Sequence, residues 1–94
     1  MEEPLIPTHA KQLIRKILTE GVYWTSSHAE EEMRKESPPL TQVDVVNVLR
    51  GGIVEPAEWE NGSWRYRVRT ARILIVVAFD SETELTIVTT WRIR

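Results

Sequence analysis

The sequence predicts an α+β domain in which N-terminal helices pack on one face of a twisted antiparallel sheet of three to four strands. Three observations predict it. Residues 8–51 place apolar side chains at helical spacing between caps and stops, residues 53–94 switch to period two, and an Asn61-Gly62 turn and a polar DSET turn divide that second half into strands. Helices first and strands afterwards is the order that leaves the helices on one side of an antiparallel sheet. A chain of 94 residues, 41% of them hydrophobic, fills one core, so residues 1–94 read as a single domain.

The elements follow in order. From Thr8, the residues Leu13, Ile14, Ile17 and Leu18 share a helical face opposite Lys11, Gln12, Arg15 and Lys16, and Gly21 stops the helix. VYWT at 22–25 is a short extended stretch. Ser26 or Ser27 then caps a second helix through HAEEEMRKE, whose early acids suit the positive end of the helix dipole, and Ser37, Pro38 and Pro39 end it. Thr41 caps a third helix. Asp44 stands three residues on as the reciprocal partner of a capping box, and Leu40 is placed to staple against Val45. Gly51 and Gly52 stop that helix, and strands follow near IVEP, through SWRYRVRT, over 72–79 and through ELTIVTTWRIR.

Composition excludes several functions. There is no cysteine, which removes disulfides, thiolate metal sites and thiol nucleophiles and suits a reducing cytoplasm. The longest apolar run, ILIVVAF, is far shorter than a membrane span, and the acidic, Pro-interrupted start MEEPLIPTHA is unlike a signal peptide, so a soluble cytoplasmic protein without a membrane partner is expected. His28 and Glu32 have an i, i+4 spacing, but one imidazole and one carboxylate do not make a metal site; no metal and no cofactor are expected.

Charge is the informative quantity. The chain carries a net charge of −2, yet residues 1–60 hold −5 and residues 61–94 hold +3, and every base in the second part is arginine. In SWRYRVRT, Arg65, Arg67 and Arg69 alternate with Trp64, Tyr66 and Val68, which puts the three guanidinium groups on one strand face, about 7 Å apart. Such a row either receives phosphates or carboxylates from a partner or pairs with the chain's own acidic helices. Beside it, Leu74, Val76 and Ala78 need cover, which the first helix, another subunit or an inhibitor can each supply. On the last strand, strict alternation groups Leu85, Ile87, Thr89, Trp91 and Ile93 against Thr86, Val88, Thr90, Arg92 and Arg94. Trp64, Tyr66 and Trp91 therefore read as core, and Trp59 as the exposed aromatic.

The succession SSHAEEEM, the capped helix TQVDVVNVLRGG, a Tyr/Arg strand, an apolar strand and a closing VTTWR resembles the bacterial proteins called domain of unknown function 4258. The resemblance covers about residues 22–92 and leaves the helix within residues 1–21 as an addition to a 22–94 core. It implies kinship with the compact α+β toxins of the RelE and MqsR kind, ribonucleases that cut messenger RNA, on the ribosome for some, and that a cognate antitoxin holds in check. The family's helix-opening histidine falls on His28, its strand tyrosine near Tyr66, its terminal threonine on Thr89 and its aromatic-Arg pair on Trp91-Arg92, with Trp91 where tyrosine is common.

For metal-independent RNA cleavage the resemblance offers His28, Tyr66 and Thr89 as catalytic candidates and Arg92 as a phosphate ligand, and the arginine row adds Arg67 to the first set and Arg65 and Arg69 to the second. The chemistry needs an acid, a base and cations for the charged phosphorane, and these residue types can supply them. The implied partners are an antitoxin and RNA. Two other readings stand beside this one: a non-catalytic module whose arginine face binds an acidic protein segment or nucleic acid, and a homo-oligomer with the apolar strand region as its interface. His28 also admits a structural role as a hydrogen-bonded histidine at a helix start.

Overall fold

The computed structural model describes all residues, 1–94. Helix α1 spans Pro7–Glu20, β1 Val22–Thr25, α2 Ser27–Lys35 and α3 Gln42–Gly51; the strands β2 Ile53–Val54, β3 Glu58–Glu60, β4 Ser63–Arg69, β5 Ile73–Phe79 and β6 Glu84–Arg92 follow. The fold is α+β as expected, but with six strands in the order β1-β6-β5-β4-β2, and β3 also paired to β4. The two further strands are β3, which EWE forms by folding back on β4 across the Asn61-Gly62 turn, and β1. VYWT pairs parallel to β6, from Val22 opposite Glu84 to Thr25 opposite Ile87, a long-range partnership that no local pattern announces.

Local chemistry sets the helix ends. Ser26 accepts a hydrogen bond from the Ala29 N–H on its Oγ and so caps α2. Thr41 and Asp44 form the full capping box of α3: the Asp44 carboxylate accepts from the Thr41 N–H at 2.8 Å, which holds it below the usual carboxylate range. Leu40 and Val45 are both buried in the core beside that cap. Asn61 and Gly62 have φ of 48° and 82°, the left-handed pair that a two-residue hairpin turn requires.

One continuous core lies between the helices and one face of the sheet. Ala10, Ile14 and Ile17 of α1, Ala29 and Met33 of α2, and Val45, Val48 and Leu49 of α3 meet Tyr66, Val68, Ile75, Val77, Phe79, Leu85 and Ile87. Helix α1 is therefore built into the core of the 22–94 region. It does not cover the strand face that carries Leu74, Val76 and Ala78, because its buried side chains all join the opposite, inner face.

Helix α2 lies along the part of β6 that β1 leaves unpaired. At its start the Ser26 N–H donates to the Ile87 carbonyl and the Ser26 Oγ to the Val88 carbonyl; just past its end the Glu36 carboxylate accepts from the Arg92 N–H at 2.7 Å. Glu36 is 8% exposed, and Arg94 reaches its second oxygen at 2.7 Å. The Arg92 backbone N–H, assisted by Arg94, holds this carboxyl below the usual range against the opposing effect of burial. A carboxyl with a lowered folded pKa stabilises the fold above its unfolded value of 4.5 and loses that contribution as pH falls through the folded value. Glu36→Gln is accordingly expected to narrow the gap in unfolding stability between about pH 7 and about pH 3, measured by urea titration at each pH. An unchanged gap would mean that the contact at the β6 edge is not formed.

The period-two reading of β6 fails at one residue. Thr86 and Ile87 face Ala78 and Val77, whereas Thr89 faces Val76, so Val88 is an extra residue that bulges out of the ladder. Leu85 and Ile87 point inward as expected. Beyond the bulge the phase reverses: Thr90, opposite Ile75, is fully buried, while Thr89 and Trp91 turn to the outer face and Trp91 is 38% exposed. The expectation that Trp91 is core is corrected by this single insertion.

Candidate functional site: the outer sheet face

No helix covers the outer face of the sheet, since the buried side chains of all three belong to the inner core. The register lays out its surface in rows. Ile53, Arg69, Leu74 and Trp91 stand side by side across four strands. Arg67, Val76 and Thr89 form the next row, and Ala78, Thr86 and Trp24 a third. Trp24 is 55% and Ile53 59% exposed, so large apolar side chains stand in solvent at both ends of the sheet. Trp59, expected to be exposed, is so; it lies in β3 and packs edge-to-face on Trp64 at 5.3 Å between ring centroids.

The arginine row is real, and most of it is already paired. Two terminal nitrogens of Arg67 donate to two different carboxylates, Glu58 at 3.0 Å and Glu60 at 2.6 Å; Arg69 donates to Glu55 at 3.1 Å. The partners are the glutamates of β3 and the segment before it, and not the acidic helices. Antiparallel pairing explains why: Glu58 faces Arg65 and Glu60 faces Ser63, so the acids of EWE and the bases of β4 share one side of the hairpin. The Glu60 hydrogen bond raises Arg67 above its ordinary value, and Arg67 in turn holds Glu60 below the usual carboxylate range. Arg65 alone has no carboxylate within ion-pair reach; its Nε donates to Ser63 Oγ at 3.3 Å.

The remaining expected site residues are dispersed. Thr89 lies on the outer face in the row of Arg67, two strands and so about 10 Å away. Tyr66 points to the opposite face. It is fully buried, its hydroxyl donates to Glu3 at 2.8 Å and accepts from the Leu5 N–H at 2.9 Å, and burial pushes the hydroxyl up to about 12. It ties down the N-terminal segment and has no path to the arginines. Arg92 also leaves the outer face, because the bulge turns it to the helix side, where its guanidinium donates to the Pro38 carbonyl. His28 is exposed at the start of α2 beside the β6 edge, with no hydrogen bond to backbone and none to an arginine. Reading by alternation missed Trp24 and Trp91, which only the parallel partner strand and the bulge bring to this face.

No three metal-ligating side chains cluster anywhere in the chain, and no helix is long and apolar enough to cross a membrane. No family model, curated protein or solved structure matches the chain.

Proposed function

We propose that the chain is a non-catalytic docking module whose outer sheet face receives an acid-bearing apolar segment of a protein partner. The observation that carries this reading is a face that no helix covers: Val76 at its centre is 3% exposed, closed in by neighbouring side chains, while Trp24 and Trp91 stand exposed on its flanks and Arg65 is left without a carboxylate. Aromatic side chains on an open sheet supply the desolvated anchors that dominate protein interfaces, and an unpaired guanidinium selects an acid beside them. Nucleic acid suits the face less well. Arg65, Arg67 and Arg69 are balanced by Glu55, Glu58 and Glu60, so the surface offers a polyanion little net attraction.

A second reading, the RelE-like ribonuclease restrained by an antitoxin, draws on the α+β architecture and on the solvent-facing His28. One experiment separates the two. A synthetic peptide of alternating Glu and Leu is titrated against the purified protein by tryptophan fluorescence, and single-stranded RNA is incubated with it in chelator. Docking predicts peptide binding that Trp24→Ala/Trp91→Ala weakens at least about 30-fold, the size of one hot-spot residue, while the thermal midpoint moves little. Arg65→Ala weakens it less and flattens its salt dependence. Intact RNA is expected. RNA cleaved without metal, and spared by His28→Ala, would replace docking with the ribonuclease reading; no binding of either ligand would sink docking.

A further inference from the structure

Arg67 stands in the middle of the open face, between Arg65 and Arg69 along β4 and in register with Val76 and Thr89 across it. Its side chain is 25% exposed, and a guanidinium so far withdrawn from water is costly unless an anion answers it. Glu58 and Glu60 supply two oxygens, one on each terminal nitrogen, which is the fork geometry that a single carboxylate or phosphate would satisfy. Of the two, Glu60 is held the more firmly, at 2.6 Å and 35% exposed, and Glu58 the more loosely. They belong to a three-residue strand that pairs only with β4, and the Glu58 side chain is 60% exposed.

We infer that Arg67 is a latent carboxylate-binding site, masked by the chain's own Glu58 and Glu60 and taken over by an acidic side chain of the docked partner. The inference rests on the docking reading and adds a mode of regulation to it. The free protein answers its central guanidinium internally, so Arg65 is the first contact for an arriving acid. A second acid two residues along an extended partner segment then competes for Arg67, and Glu58 and Glu60 swing out to solvent. One incoming carboxylate then takes the place of two internal ones, each terminal nitrogen of Arg67 keeping an acceptor oxygen. The mask favours partners with acids at alternate positions over those with a single acid, since only the former repay the broken internal pair.

The test compares wild type, Glu58→Gln/Glu60→Gln, and that double variant with Arg67→Ala added, each titrated with the same alternating Glu-Leu peptide. Unmasking is expected to tighten binding roughly fivefold, the upper range for an exposed ion pair, and the added Arg67→Ala to abolish the gain. Far-ultraviolet circular dichroism of the Trp59–Trp64 pair checks that β3 stays on β4 in the double variant; if it does not, Glu60→Gln alone is used, with a gain of about twofold expected. Equal affinity of wild type and unmasked protein would overturn the latent site while leaving docking in place. A gain that persists without Arg67 would overturn it as well. Absence of binding by every variant would remove the docking reading and the inference together.

Discussion

Replacing Ile14 and Ile17 together by alanine is expected to leave the protein without a cooperative unfolding transition at 25 °C. Both side chains are essentially unexposed and lie on the α1 face that closes the core against the sheet. Each truncation removes buried methyl groups and leaves space that the packed surroundings only partly fill, at about 2–5 kcal/mol apiece. A domain of this length holds about 5–15 kcal/mol in total, so the pair consumes most or all of it. Circular dichroism against temperature and urea checks the outcome, with Val43→Ala on the exposed face of α3 as the neutral control. Cooperative unfolding close to that of wild type would show that α1 is an appendage after all, and that residues 22–94 hold themselves together.

Gly21→Ala is expected to cost about 3 kcal/mol, the upper end of what overpacking a close contact costs. Gly21 joins α1 to β1, and a Cβ there would lie 2.2 Å from the Thr83 carbonyl oxygen, with Thr83 C at 3.1 Å and Ile17 Cα at 3.2 Å. None of these atoms is the movable end of a side chain. The same Thr83 oxygen accepts from the Val22 N–H at 3.0 Å, so relieving the clash pulls β1 away from the start of β6. The backbone at Gly21, with φ of −109°, is open to any residue, which makes the close approach the sole cause. A fall in thermal midpoint of roughly 15 °C is the expected reading for a chain of this size. A midpoint within about 3 °C of wild type would mean that β1 does not dock parallel to β6 as described.

What the sequence makes legible is what neighbours in sequence decide. The capping box of Thr41 and Asp44, the Ser26 cap, the Asn61-Gly62 turn and the outward row of Arg65, Arg67 and Arg69 are set within a few residues of themselves, and the structure contains each of them. The failures have a common cause in long-range pairing. Nothing in VYWT says that it will lie parallel to a strand about 60 residues on. Val88 looks like any other β-branched strand residue, yet as a bulge it decides that Trp91 faces solvent and Thr90 does not. The candidate site was legible as a row of positive charge; its neutralisation by Glu55, Glu58 and Glu60 was not, because it depends on which segment folds back beside β4. Tyr66 and Arg92 lie near the arginines in sequence or by family resemblance, but alternation and the bulge send both to the other side.

The position of α2 along β6 has a consequence for how copies of this molecule can meet. With α2 and the four-residue β1 occupying one border, and the opposite border broken into the two-residue β2 and three-residue β3 around Pro56, neither side offers a long template of unpaired amides and carbonyls. Ribbon-like extension from molecule to molecule is therefore blocked at both flanks.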